Sequence, residues 1–122
     1  MIIGIGLDAI EISRVVKAME REHFVHRIFT EREAAQLDPG NRRGASDFAG
    51  KEAVVKALGT GFAGIWPREV EILRNDKGAP YVQLYGSAKA KAEELGIRDW
   101  KISITNTEEL AMAYVIATDG ND

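Results

Sequence analysis

The segment Lys51-Glu52-Ala53-Val54-Val55-Lys56-Ala57-Leu58-Gly59-Thr60-Gly61 decides how this chain folds around its most informative side chains. It is the end of a helix that the sequence predicts from Ser46 to Leu58, because glycines that follow a helix commonly end it. At about 100° per residue, Glu52 and Lys56 flank one side of the apolar face and Lys51 flanks the other. The segment therefore places one acid and two lysines beside a buried helix face.

Two simpler explanations compete with a functional reading of this helix. Glu52 and Lys56 have the i,i+4 spacing of a surface ion pair, which stabilises a helix by about 0.2–0.5 kcal/mol. Gly59 and Gly61 suit close approach of the backbone to a ligand, but an ordinary helix C-cap is the commoner reason for glycine there. Spacing alone favours the structural explanation in both cases.

A second segment, Gly4-Ile5-Gly6-Leu7-Asp8, places another acid after an apolar stretch. Residues 1–7 are rich in isoleucine and predict a buried strand. Asp8 then has two interpretations: the N-cap of a helix that begins near Ile10, or a ligand for a hard cation. The two glycines are weak evidence for a phosphate loop, since the third glycine of the dinucleotide motif is missing.

The remaining segments predict an α+β fold with helices packed on an antiparallel sheet. Helices are predicted to begin near residue 10, at Thr30 and after Ser87. Thr30 opens a capping-box pattern, and Gly96 ends the helix that follows Ser87. Turn residues at 75–78 separate two alternating stretches and predict a hairpin, and two further strands complete the chain. No linker or repeat interrupts residues 1–122, so one domain is expected.

Composition excludes several classes of protein. The chain is 45% hydrophobic and 29% charged, which is a globular balance, and it holds no transmembrane run. It has no cysteine, so disulfides, thiolate zinc sites and a cysteine nucleophile are excluded. A net charge of −3 argues against a general nucleic-acid partner. We expect a cytoplasmic protein without a membrane partner.

A basic stripe is predicted on the first helix, where Arg14, Lys17 and Arg21 recur at i, i+3 and i+7. Such a stripe is usually a solvated face, but it would also suit an acidic partner protein. The two histidines, His23 and His26, have no triad or metal spacing and are expected to be solvated.

Taken together, these segments resemble the holo-(acyl-carrier-protein) synthase family, the small bacterial 4'-phosphopantetheinyl transferases. The opening GIGLDAIEISR matches the family pattern GxGxDxxExxR, and KEAVVKALGTG matches KEAxxKAxGTG. VEILRNDKGAPYVQL and ISITNTEELAMAYVI resemble the hairpin and the final strand pair of the family. The resemblance covers nearly the whole chain in the expected order.

The resemblance implies transfer of 4'-phosphopantetheine from coenzyme A to a serine of apo acyl carrier protein, in fatty acid biosynthesis. It implies Asp8 and Glu52 as Mg²⁺ ligands, Glu52 and Lys56 as catalytic residues, and Arg14, with Lys17 and Arg21 beside it, as the carrier-protein contact. Coenzyme A contacts are expected at Lys51, Gly59, Gly61, Asn106 and Thr107. The family fold is a small α+β unit, and a homotrimer is expected.

Two positions depart from the family pattern. Asp47 stands where the family often has arginine, and Thr105-Asn106-Thr107 stands where it often has SHT. Both changes remove groups that would contact coenzyme A. The alternative function is therefore a non-catalytic module of the same fold that binds carrier protein or nucleotide.

Overall fold

The computed structural model describes residues 1–121 and confirms the predicted α+β class. A short 3₁₀ turn, Pro67–Glu69, precedes the central hairpin. The strands and helices, numbered in chain order, are β1 Ile2–Glu11, α1 Ile12–Ala18, α2 Glu22–Ile28, α3 Glu31–Ala35, α4 Arg42–Leu58, β2 Val70–Arg74, β3 Pro80–Leu84, α5 Gly86–Leu95, β4 Asp99–Asn106 and β5 Leu110–Thr118.

The main sheet has three antiparallel strands in the order β1-β5-β4, and β2 and β3 form the predicted separate hairpin. On β5 every second side chain is buried, from Ala111 through Val115 to Ala117. These mostly small side chains face the core, so a helix can pack close to the sheet. The helix that contacts β1 and β5 there is α4.

Gly4 and Gly6 are the places where α4 meets β1 most closely. A Cβ atom at Gly6 would overlap the carbonyl oxygen of Ala53, and one at Gly4 would overlap that of Ala57. The glycines of the opening motif therefore serve backbone-to-backbone packing rather than phosphate binding. Asp8 follows on the same side of the strand, two residues on, because side chains alternate along β1.

Two differences from the sequence predictions lie in the first part of the chain. β1 continues to Glu11, so Asp8 lies within a strand and is not a helix N-cap. The first helix ends at Ala18, and a second begins at Glu22 after the extended backbone of Arg21. This break turns Phe24 toward the core, where its ring centroid lies 6.3 Å from that of Phe48.

The other two corrections concern helix starts. The central helix α4 begins at Arg42 rather than Ser46, after Asn41 adopts a left-handed conformation with φ 59°. Ser87 does not cap α5; its backbone N–H instead donates to a carboxylate oxygen of Glu69 at 2.5 Å. The capping box of Thr30 and Glu33 is formed as predicted.

On β1 and β5 the outer face of the main sheet exposes apolar side chains. Leu7 and Tyr114 are cross-strand partners and remain 58% and 42% exposed. Ile5 lies beside them on β1 and is 57% exposed. No helix packs on these side chains as α4 does on the opposite face. Within residues 1–121, no helix is long and apolar enough to cross a membrane.

Candidate active site

Asp8 and Lys56 meet where β1 crosses the C-terminal half of α4. The Lys56 Nζ donates to Asp8 Oδ1 at 2.9 Å and to the carbonyl oxygen of Leu7 at 3.0 Å. The simpler expectation, an ion pair between Glu52 and Lys56, is wrong, because Lys56 pairs with Asp8 instead. The close packing at Gly6 brings the two elements near enough for this contact.

Glu52 lies one helical turn before Lys56 and is half-buried. Burial raises the pKa of Glu52, the negative charge of Asp8 raises it further, and Lys56 opposes the shift. Asp8 thus acts on Glu52 through its charge, and it contacts Lys56 directly. The structure therefore brings together Asp8, Glu52 and Lys56, which spacing alone could not do.

Asp8 offers an oxygen suited to a cation. Within residues 1–121 its buried Oδ2 atom has no hydrogen-bond partner, which is true of one other side-chain atom, Asp47 Oδ2; such atoms are rarely left unpaired. A divalent cation would satisfy this oxygen and reduce the repulsion that raises the Glu52 pKa. Among residues 1–121 no group of three metal-binding side chains exists. Two carboxylates alone suit Mg²⁺, which keeps several water or phosphate ligands.

Lys51 does not belong to this site. Its side chain is fully buried, and its Nζ donates to Glu33 Oε1 at 2.8 Å and to the carbonyl oxygens of Pro67 and Val70. The ammonium also lies 5.7 Å from the centre of the Phe29 ring. All three donors are used inside the core, so the expected contact of Lys51 with coenzyme A is not available in this structure.

Gly59 and Gly61 end α4 with left-handed backbone, at φ 79° and φ 58°. Their N–H groups donate to the carbonyl oxygens of Lys56 and Val55, as in an ordinary helix C-cap. A Cβ atom at either glycine would meet nothing within 4 Å. The positive φ thus explains why both residues are glycine. Their contact with coenzyme A stays a prediction.

Asn106 and Thr107 close the end of β4 and are exposed. The Asn106 side-chain amide donates to Ser46 Oγ at 2.7 Å. Thr107 Oγ1 accepts the N–H of Leu110 at 2.9 Å, which fixes the turn into β5. Asn106 thereby stays at the N-terminal part of α4, and its coenzyme A contact stays a prediction, as does that of Thr107.

Asp47 has a partner that the sequence did not reveal. It is fully buried, and Arg74 of β2 donates to its Oδ1 at 2.7 Å. Burial raises the pKa of Asp47 to about 7, and the Arg74 guanidinium opposes that shift. A charged acid on the buried face of a helix needs a compensating cation. The position of Asp47 on that face is the one sequence feature that would have suggested a basic partner.

The basic residues do not share one helix. Arg14 and Lys17 are exposed on α1, whereas Arg21 follows the end of that helix. All three nevertheless line one shallow cavity of about 300 Å³, with Ala18 and Glu20. The predicted basic surface is therefore present in a modified form, and its partner stays a prediction.

The family is decided by a match over almost the whole fold. A model described as the 4'-phosphopantetheinyl transferase superfamily matches residues 4–115. The chain belongs to this superfamily. The match begins at Gly4, includes the Asp8, Glu52 and Lys56 cluster, and confirms the resemblance drawn from the two motifs.

Two bacterial relatives of this superfamily member share one name. A holo-(acyl-carrier-protein) synthase of Lachnoclostridium phytofermentans is 55% identical over 95% of both chains. One of Caldanaerobacter subterraneus subsp. tengcongensis is 42% identical over 100% of this chain and 99% of its own.

Solved structures of the superfamily share the fold. The Plasmodium yoelii acyl carrier protein synthase with ADP bound has a TM-score of 0.86 at 31% identity, covering 99% of this chain and 98% of its own. The Helicobacter pylori synthase in complex with coenzyme A has a TM-score of 0.82 at 29% identity, covering 93% of this chain and 99% of its own.

Proposed function

We propose that this chain is a magnesium-dependent holo-(acyl-carrier-protein) synthase, which transfers 4'-phosphopantetheine from coenzyme A to a serine hydroxyl of apo acyl carrier protein. The superfamily match and the 55% identical synthase support the activity. The observation that carries the site assignment is the cluster of Asp8, Glu52 and Lys56. A cytoplasmic location is part of the proposal.

The reaction is a phosphoryl transfer in which the nucleophile comes from the partner. The serine oxygen attacks the phosphorus that carries pantetheine, and the pyrophosphate bond breaks to release adenosine 3',5'-bisphosphate. Positioning and charge stabilisation supply most of the rate enhancement in such transfers. This division of labour explains why the chain needs no nucleophile of its own.

Glu52 is suited to take the serine proton. Its carboxylate lies beside the proposed metal position, and a water molecule held by Mg²⁺ is the other candidate for this base. Lys56, half-exposed beside Asp8, would neutralise charge on the pyrophosphate as its bond breaks. Its ammonium is a mobile point charge, which suits a phosphate that moves during the reaction.

Mg²⁺ would be held by Asp8 and Glu52 and would neutralise the pyrophosphate charge. The unpaired Asp8 Oδ2 supports this assignment. Lys56 now occupies Asp8 Oδ1, so the second oxygen is the free ligand atom. Calorimetric titration with Mn²⁺ should show binding that both Asp8→Asn and Glu52→Gln abolish, whereas Glu93→Gln on α5 should bind Mn²⁺ as the wild type does.

The carrier protein would dock on the cavity lined by Arg14, Lys17 and Arg21. Complementary charge accelerates encounter and fixes orientation, so loss of one exposed arginine should mainly raise KM. We expect Arg14→Ala to raise the KM for carrier protein several-fold with kcat retained. An unchanged KM would mean that these residues are only a solvated surface.

A homotrimer is the proposed assembly, and the apolar outer face of the sheet supports it. Ile5, Leu7 and Tyr114 form an exposed apolar patch on neighbouring strands, and such patches often mark protein–protein interfaces. Leu7→Glu should lower the mass measured by sedimentation, while Tyr81→Glu on the hairpin should not. A wild-type chain that sediments as a monomer would reject this assembly.

One assay tests the function itself. The protein is mixed with apo carrier protein, coenzyme A and Mg²⁺, and the intact mass of the carrier is measured. We expect a gain of one phosphopantetheine, abolished by Glu52→Gln and Asp8→Asn and retained by Glu93→Gln. No gain at high enzyme concentration would reject catalysis and favour the non-catalytic module.

A further inference from the structure

A second charged cavity lies beside α4, outside the Asp8 cluster. It has a volume of about 440 Å³, within the range of small-molecule sites. Three arginines line it, against a single acid, Asp38. Ser46 and Asn106, which hydrogen-bond to each other, form another part of its wall. Three positive charges around one cavity repel each other, and an anionic ligand would reduce that repulsion.

Two of the arginines are anchored by backbone contacts. The Arg42 guanidinium donates to the carbonyl oxygens of Thr107 and Glu108, and Arg43 donates to that of Gln36. Neither guanidinium has a carboxylate partner in the part of the chain that the structure describes. With Asp38 as the one acid of the lining, the cavity wall keeps an excess of positive charge.

Arg74 is held far more firmly. Its side chain is only 10% exposed, and one nitrogen, Nη1, donates to Asp47 at 2.7 Å. Its backbone N–H and carbonyl are both bonded to the side-chain amide of Gln36. A guanidinium has five N–H donors. Within residues 1–121 the bond to Asp47 is the one hydrogen bond that its guanidinium donates, so a buried cation faces the cavity with donors unfilled.

Asp47 thus acts as a positioning residue for Arg74. It belongs to the buried face of α4, and the fixed fork of a guanidinium leaves its other edge directed away from the acid. Phosphate groups match that fork geometry and accept several hydrogen bonds. A phosphate is therefore the anion that best fits a cavity with one oriented and two further guanidinium groups.

We propose that Arg74, oriented by Asp47, binds the phosphomonoester on the nucleotide half of coenzyme A and sets the preference for that substrate over its dephosphorylated form. The inference rests on the proposed function, which supplies the nucleotide substrate. Arg42 and Arg43 add charge from the start of α4. The cationic group that position 47 lacks is thereby supplied by the hairpin instead.

The test compares two substrates that differ only in this phosphate. For wild type we expect coenzyme A to have a KM at least tenfold below that of dephospho-coenzyme A. Arg74→Met should raise the KM for coenzyme A about tenfold and leave that for dephospho-coenzyme A unchanged. Lys77→Met, an exposed change on the same hairpin, should alter neither KM.

The proposal is overturned if Arg74→Met raises both KM values equally, or changes neither. Because Arg74→Met leaves Asp47 buried without its partner, the double variant Arg74→Met/Asp47→Leu repeats the test without an isolated charge. Asp47→Asn should raise the KM for coenzyme A less than Arg74→Met does, since arginine remains but loses its ionic anchor.

A binding measurement separates failure here from failure of the proposed function. Calorimetric titration with adenosine 3',5'-bisphosphate and with adenosine 5'-monophosphate needs no turnover. We expect wild type to bind the bisphosphate at least tenfold more tightly than the monophosphate. Arg74→Met should bind the two nucleotides with equal affinity. Transfer to the carrier with equal affinity for both nucleotides would reject the Arg74 assignment alone. Discrimination without transfer would reject the enzyme assignment alone.

Discussion

Replacing Lys51 by methionine should destabilise the fold without changing coenzyme A binding. Methionine matches the length of the lysine stem but removes the ammonium that bonds Glu33 and the carbonyl oxygens of Pro67 and Val70. Both Lys51 and Glu33 are fully buried, so the substitution leaves a carboxylate without its cation inside the core.

The structure sets the size of this effect. Removing one partner of a buried ion pair costs about 3–5 kcal/mol. We expect the low end, because Glu33 still accepts N–H bonds from Thr30 and Ile72. A loss of about 3 kcal/mol corresponds to a fall of roughly 10 °C in Tm for a domain of this size.

Urea unfolding followed by circular dichroism measures the loss, with Lys89→Met on the exposed face of α5 as control. The double variant Lys51→Met/Glu33→Gln should recover part of it, since glutamine carries no charge. The recovery is incomplete because Thr30 and Ile72 donate to different oxygens of Glu33, and glutamine has a single acceptor oxygen. KM for coenzyme A, measured well below Tm, should stay within twofold of wild type. A loss below about 1 kcal/mol, or a tenfold rise in KM at unchanged stability, would refute the structural role.

Three further changes test other parts of the fold. Gly6→Ala should destabilise by about 1–3 kcal/mol in urea, because its methyl group overlaps the Ala53 carbonyl oxygen, and an unchanged midpoint would contradict the packing. Folding raises the pKa of Asp47 from 3.8 to about 7, so the folded state holds this proton more tightly. The difference in Tm between wild type and Asp47→Asn should therefore shift against wild type as the pH rises from 4 to 7, and then stay constant. A difference in Tm that does not change with pH would disprove this. Thr30→Val should cost about 1–2 kcal/mol in unfolding free energy, because it removes a helix cap and the bond to Glu71, and Thr105→Val on the exposed face of β4 should not.

Much of the fold follows from local pattern. The hairpin, the C-cap at Gly59 and the Thr30 capping box were predictable because neighbouring residues determine them. The end of α1 was not, since no glycine or proline precedes Glu22, and the break reflects packing of Phe24 on Phe48. The start of α4 at Arg42 depends on Asn41 in a left-handed conformation, which its side chain allows but does not require.

The candidate site divides in the same way. Motif order indicated Asp8, Glu52 and Lys56, but the contact of Asp8 with Lys56 depends on the β1–α4 crossing, which no local pattern encodes. The buried pairing of Lys51 was not predictable, because a lysine beside an apolar face gives no sign that Glu33 lies opposite it. The Asp47–Arg74 pair joins a helix to a distant strand, so its two members look unrelated along the chain.

The pairing of β1 with β5 has a consequence for how the protein is made. β5 is the central strand, and Asp8 of β1 lies opposite Ala113, which the ribosome adds far later. Until β5 emerges, the apolar strand Ile2–Glu11 has a free hydrogen-bonding edge, a state that favours aggregation of nascent chains. The surroundings of Asp8 are therefore complete only after the last strand has left the ribosome.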